Sequence, residues 1–214
     1  MENQPINYWE QTVEQANKDY QEYFDFEKEY LSKNLQPNQR VIDIGCGDGR
    51  SIMPIAAQAK EFIGIDHDPV AIKDALVNFE NLEKATALQA DATKLPLEKK
   101  SVDIAFIGLT FVNFGEDKEK ALAEIKRVLK DGGKLIFSVF SENALNARKQ
   151  MYDKYDVEYE VTDDKGTVYF PEQKVVSEQF SEEEIKRILD QAGFKITDFQ
   201  KGNIFYMISA VKNN

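Results

Sequence analysis

Three glycines at alternate positions, Gly45, Gly47 and Gly49, follow an apolar run that carries one acid, Asp43, in the stretch Val41-Ile42-Asp43-Ile44-Gly45-Cys46-Gly47-Asp48-Gly49-Arg50. The apolar run suits a buried parallel strand. Glycine reaches backbone angles closed to other residues and lets a ligand approach the main chain closely. A helical pattern resumes directly afterwards, so the glycine turn delivers a helix N-terminus. Strand, turn and helix start together make a nucleotide cradle. The spacing is G-x-G-x-G, which differs from the G-x-G-x-x-G of dinucleotide folds.

A second acid fits the same chemistry. Glu61 to Asp66 reads as a buried strand ending on Asp66, 21 positions after Gly45. A ribose-binding acid is expected about 20 residues beyond such a loop, and a carboxylate accepts two hydroxyl hydrogen bonds with one rigid group. The alternative is that Asp66 caps the next helix, since Pro69 stands at a first-turn position. His67 is the only histidine, so the chain offers no histidine-based metal constellation.

Helices and strands alternate around these groups. Residues 6–35 read as a helix whose stripe, Tyr20, Tyr23, Phe24, Glu27, Tyr30 and Leu31, is mostly apolar; Tyr8 and Trp9 precede it. After the glycine loop, Ile52, Ile55, Ala56 and Ala59 share a helical face. Pro54 fits only a first turn, so either Ser51 caps a helix starting at Ile52 or that turn is irregular. Residues 70–79 read as a helix with Val70, Ala71, Ala75, Leu76 and Phe79 apolar. Strands follow at Ala85 to Ala90 and Ser101 to Gly108. An amphipathic helix spans Lys118 to Lys130, closed by Asp131-Gly132-Gly133, and a strand spans Lys134 to Phe140. The alternation breaks over 141–180, where a helix (Ala144 to Tyr155) precedes a hairpin around Asp163-Asp164-Lys165-Gly166. Ser181-Glu182-Glu183-Glu184 is a capping box for the next helix, and two final strands run over 194–199 and 204–212.

The glycine loop resembles that of class I S-adenosylmethionine-dependent methyltransferases, D/E-x-G-x-G-x-G, with Asp43, Gly45, Gly47 and Gly49 in the four fixed places. Arg127-Val128-Leu129-Lys130-Asp131-Gly132-Gly133 is similar to the family's R-V-L-K-P-G-G segment, with Asp131 replacing proline. The likeness covers roughly residues 40–140 and 181–212. It implies an α/β, three-layer sandwich: a seven-stranded, mostly parallel sheet with an antiparallel last strand and helices on both faces.

The resemblance also implies a ligand, S-adenosyl-L-methionine, with S-adenosyl-L-homocysteine as product. Its binding residues would be Gly45, Cys46 and Gly47 in the loop, Asp66 at the ribose, and His67 beside ribose and adenine. Asp91 and Ala92 would meet adenine, with a turn role as the alternative for Asp91. Leu109 would adjoin the methyl side, and the N-terminal helix would either pack on the core or cover the cofactor as a lid that presents Tyr8, Tyr20 or Tyr23. Thr110, Phe111 and Phe114 serve either the site or the core. The chemistry would be in-line methyl transfer to oxygen or nitrogen of a small molecule. No catalytic base is assigned. The division expected is a helical lid at 1–36, a cofactor-binding core at 37–140, an inserted cap at 141–180 and a closing helix and strand pair at 181–214. The insertion would either be a structural flap or dimer contact or cap the substrate, with Arg148, Tyr152, Tyr155, Tyr159 and Tyr169 as candidates.

Charge and composition narrow the classes. The formal net charge is -11 over 214 residues, which opposes a phosphate backbone as partner. The segment Leu109 to Asn113 lacks the Asn/Asp-Pro-Pro-Tyr/Phe pattern of base-modifying enzymes. Methylation of a protein or RNA, and ligand binding without transfer, are the rival readings. One cysteine fits a reducing, cytoplasmic setting. The first five residues have neither a basic patch nor an apolar core, no run has the length of a membrane span, and a homodimer is compatible.

Overall fold

The computed structural model describes residues 15–49 and 52–213. The part of the first helix before residue 15, with Tyr8 and Trp9, and the cap expected of Ser51 lie outside the described residues. Among those described, the first helix, α1, is Lys18–Asn34, capped by Asn17, whose side chain accepts from the Tyr20 amide. Five strands, β1 (Arg40–Ile44), β2 (Glu61–Asp66), β3 (Ala85–Gln89), β4 (Val102–Ile107) and β5 (Leu129–Phe140), pair in parallel. Between them stand α2 (Met53–Ala56), α3 (Pro69–Asn78) and α4 (Lys118–Val128). Then come α5 (Leu145–Lys154), the short strands β6 (Glu160–Val161), β7 (Val168–Phe170) and β8 (Val175–Ser177), α6 (Glu182–Gln191), β9 (Phe194–Lys201) and β10 (Phe205–Lys212).

The main sheet has seven strands in the order β3-β2-β1-β4-β5-β10-β9. The last strand, β10, runs antiparallel to both its neighbours. The α/β architecture is the one expected, with helices around the sheet. Continuous apolar runs explain the buried strands: every residue of β10 from Phe205 to Ala210 is buried, as are Phe62 to Ile65 in β2. The strand order reverses direction between β1 and β4, and ligands of such sheets bind at the carboxyl ends beside that switch point.

Several boundaries differ from the sequence reading. Helix α2 is four residues long, with Pro54 in its first turn, although Ile52, Ile55, Ala56 and Ala59 are buried together as expected. In α3 only Ile72 and Ala75 are buried, while Val70, Leu76 and Val77 are exposed, because the helix touches the sheet along a narrow face. Helix α4 stops at Val128 instead of Lys130. Leu129 pairs with Val102, so the chain is already in β5, and Gly132 (φ +74°) serves the irregularity in that pairing rather than a helix cap. The expected hairpin is a three-stranded meander, β6-β7-β8. Ser181 caps α6 by accepting from the Glu184 amide. Asp103 accepts from the Arg40 amide (2.8 Å) and from Lys130, which ties the starts of β1, β4 and β5 together. Among the described residues no helix is long and apolar enough to cross a membrane.

Candidate functional site

The turn after β1 is held by its own amides and by β2. The Gly45 and Cys46 amides both donate to the Ile65 carbonyl (2.7 and 3.1 Å), and the Gly49 amide donates to the Cys46 carbonyl (3.0 Å). Asn78 of α3 donates to the Asp48 carbonyl at 2.9 Å. Two of the glycines differ in what surrounds them. A Cβ on Gly45 (φ +78°) would stand 2.2 Å from Cγ2 of Thr110, whereas a Cβ on Gly47 (φ +55°) would meet nothing within 4 Å. Gly45 is therefore required by packing across the β1–β4 crevice, and Gly47 fronts open space. Gly64 leaves room for Cys46, since a Cβ there would lie 2.8 Å from its Sγ. Burial, followed by the Asp43 and Asp66 carboxylates, pushes the Cys46 thiol up, so it is no nucleophile.

Asp66 stands at the end of β2 and bonds to the loop. Its Oδ2 accepts from the Gly47 amide (3.0 Å) and its Oδ1 from the Asp68 amide (3.0 Å). The helix cap itself is Asp68, which accepts from Val70, so the capping alternative for Asp66 does not hold. His67 is exposed, with Nδ1 3.3 Å from Asp66 Oδ1. Asp91 forms the turn after β3: its Oδ1 accepts from the amide and hydroxyl of Thr93 (2.7 and 2.8 Å), which hold the carboxyl below its usual range. Ala92 beside it is half-buried.

Beyond β4, Leu109 adopts φ +52°, a left-handed conformation that costs a branched residue roughly 1–2 kcal/mol. Its amide donates to Ser138 Oγ of β5 (2.9 Å). Ser138 lies 2.9 Å from the Tyr23 hydroxyl, which in turn donates to Glu27. With the Tyr23 proton on Glu27, Ser138 must donate to Tyr23, so the chain of bonds has one direction from Leu109 to Glu27. Burial pushes the Glu27 carboxyl up to about 7, opposed by the Tyr23 bond. Burial, then Glu27 and Asp66, pushes the Asp43 carboxyl well above its usual range.

Gly45, Asp66 and Leu109 thus meet at one edge of the sheet, with Asp91 on the adjoining β3 turn. Tyr20 is fully buried and packs on Phe24 and, edge-on, on Phe140 at 6.0 Å; it is Tyr23, one turn later, that joins the network at Leu109. Sequence reasoning passed over Tyr23, Glu27 and Ser138 as a linked set. The available signal was Glu27, the acid in a mostly apolar stripe. Thr110 touches Gly45, while Phe111 is buried between Phe114, Phe137 and Phe180.

The insertion is tied down by Arg148, which is fully buried. It donates to Tyr152 Oη (3.0 Å), Ser177 O (2.9 Å), Gly166 O and Gln179 Oε1 (3.3 Å each), and its guanidinium lies over Phe140 at 4.6 Å. As a candidate toward substrate, Arg148 is corrected: it has no donor edge turned to solvent. Tyr152 is buried with it, and Tyr159 donates to Asp153 at 3.0 Å. A cleft of about 550 Å³ between the insertion and α6, lined by Glu142, Lys165, Gln179, Ser181 and Arg187, includes no residue of the glycine loop.

Residues 42–137 match the family model described as a methyltransferase domain. Over 119 residues the chain is 34% identical to a demethylmenaquinone methyltransferase of Renibacterium salmoninarum, covering 56% of this chain and 48% of the relative. It is 30% identical over 139 residues to a malonyl-[acyl-carrier protein] O-methyltransferase of a Marinomonas strain, covering 62% and 51%. The chain thus spans about half the length of these curated relatives. A solved S-adenosylmethionine-dependent methyltransferase from Methanosarcina mazei superposes with a TM-score of 0.68 at 24% identity, covering 86% of this chain and 97% of that one.

Proposed function

We propose that the chain, whose residues 42–137 match a methyltransferase domain, is a class I, Rossmann-like enzyme that transfers a methyl group from S-adenosylmethionine to a small molecule, at oxygen or nitrogen. The observation that carries this reading is the junction of loop and acid: Asp66 reaches the Gly47 amide while the space in front of Gly47 is open. A cradle a Cβ would partly fill, beside a carboxylate at a strand end, fits a ribosyl ligand. In this reading Asp66 holds the ribose, His67 flanks it, and Asp91 and Ala92 take the adenine. Gly45, Cys46 and Gly47 present main chain to the ligand, and Leu109 and Tyr20 border its methyl side.

Bound S-adenosylmethionine supplies a methyl group already activated on a sulfonium. The chain's part is to align both reactants and exclude water. Residues 1–36 act as a lid and 141–180 as a cap over the core, 37–140, closed by 181–214. Among the relatives' names, malonyl-[acyl-carrier protein] O-methyltransferase supports transfer to oxygen, and ubiquinone/menaquinone biosynthesis C-methyltransferase supports a quinone-like ring methylated at carbon as a second reading. The net charge of -11 disfavours nucleic acid, and the single cysteine favours a cytoplasmic setting.

The test is incubation with methyl-labelled S-adenosylmethionine and a metabolite extract. Label in small acids or quinols supports the reading. Label in protein or RNA, or binding with no transfer, replaces it with one of its rivals.

A further inference from the structure

Two tyrosines on one face of α1 hold the helix to the sheet by the same kind of bond. Tyr23 Oη lies 2.9 Å from Ser138 Oγ of β5, and Tyr30 Oη lies 2.7 Å from Ser209 Oγ of β10. Each hydroxyl also meets an acid, Glu27 for Tyr23 and Asp198 for Tyr30. Beyond the serines the two arrangements differ. Ser209 sits inside the β5–β10–β9 pairing, opposite Ile136 and Asp198. Ser138 instead accepts from the Leu109 amide (2.9 Å), at the turn that leaves β4. Glu27 packs on the residue before it, with Oε2 3.0 Å from where a Cβ on Gly108 would stand. Helix α1 therefore grips two consecutive residues at the end of β4. The next residue carries the contact to the glycine loop. The Thr110 hydroxyl reaches the carbonyls of both Gly108 and Gly45 (3.3 Å each), and its side chain fills the space a Cβ on Gly45 would need. Leu109 keeps its left-handed backbone only because such neighbours over-determine it. Without the Ser138 bond, residues 108–110 relax and Thr110 shifts against the Gly45 main chain.

We propose that Tyr23 and Ser138 are positioning residues for the ligand site: through Leu109 and Thr110 they set the main chain of the glycine loop, so docking of α1 and binding of the adenosyl ligand are coupled. The inference rests on the S-adenosylmethionine reading and deepens it. Tyr23 is 1% exposed and Ser138 is fully buried, so both act through the main chain and not by touching the ligand. Coupling between two sites is reciprocal and typically amounts to about 5–150-fold in affinity.

Calorimetry with S-adenosylhomocysteine tests this, with Tyr30→Phe as the control. That change removes the same kind of bond from the same helix without touching the end of β4. Tyr23→Phe and Ser138→Ala are each expected to weaken binding about fivefold or more. The double variant should bind no more weakly than the weaker single one, because both act through one path. Tyr30→Phe should melt lower than the wild type and bind as the wild type does. Wild-type affinity in Tyr23→Phe or in Ser138→Ala, equal weakening by Tyr30→Phe, or additive losses in the double variant overturns the proposal. If the variants do not fold, hydrogen exchange on the wild type decides. Bound S-adenosylhomocysteine should slow exchange at the amides of Tyr23 to Glu27 more than at those of β9; equal slowing, or none, overturns the proposal. Failure of the wild type to bind S-adenosylhomocysteine would refute the cofactor reading itself.

Discussion

Gly47→Ala and Gly45→Ala make the same chemical change two residues apart and should have opposite consequences. At Gly47 the added methyl meets nothing within 4 Å, and the only structural penalty is the left-handed backbone, φ +55°. That costs roughly 1–2 kcal/mol, which for a chain of this size lowers the melting temperature by about 2–8 °C. The methyl does enter the space assigned to the ligand, so affinity for S-adenosylhomocysteine should fall by an order of magnitude or more. At Gly45 the methyl would lie 2.2 Å from Thr110, and the backbone is again left-handed at φ +78°. Overpacking of about 1–3 kcal/mol adds to the conformational cost, for a total of roughly 2–5 kcal/mol. Thermal melting and isothermal calorimetry on both variants read the two quantities separately. A Gly47→Ala protein that binds S-adenosylhomocysteine as the wild type does, or one less stable than Gly45→Ala, would refute the assignment of the open side of the loop.

Ser138→Ala removes the partner of both the Leu109 amide and the Tyr23 hydroxyl, and should cost about 2 kcal/mol or more in urea denaturation; a loss under roughly 0.5 kcal/mol would show that the bonds are not formed in solution. Arg148→Met leaves the Ser177 and Gly166 carbonyls without their donor. It should destabilise by about 2–4 kcal/mol and open the 160–177 meander to limited proteolysis, whereas an unchanged digestion pattern would contradict its role as a tie. Stability should also depend on pH through Glu27, whose carboxyl ordinarily titrates near 4.5 and is raised to about 7 in the fold. The folded state therefore binds the proton more tightly. Its stabilisation is full below 4.5 and is lost as pH rises to about 7, by roughly 2–4 kcal/mol. Glu27→Gln should flatten that fall and melt higher than the wild type at pH 8, and an unchanged pH profile would be evidence against the buried placement of Glu27.

Continuous apolar runs made β1, β2 and β4 legible, and β2 has the expected ends, Glu61 and Asp66, because a strand buried on both faces needs no partner information to be recognised. Ser181 announced α6 because an N-cap is a local interaction. What depends on distant partners could not be read. Lys130 to Gly133 looks like a helix end followed by a turn, yet the pairing of Leu129 with Val102 draws the segment into β5. Val175 to Ser177 is too short to signal a strand until β7 lies beside it. Val70 and Leu76 are among the apolar residues of α3 yet are exposed, because periodicity gives a face but not its width. In the site, Gly45 and Asp66 were legible from spacing, while the Tyr23–Ser138 contact joins residues 115 positions apart and left only Glu27 as a trace.

A crystal structure with S-adenosylhomocysteine bound tests the central claim most directly. The account predicts the ribose hydroxyls on Asp66 and the adenine beside Asp91 and Ala92. Ligand density away from the Gly47 side of the loop, or Asp66 still closed on the Gly47 and Asp68 amides with no ribose beside it, would contradict it.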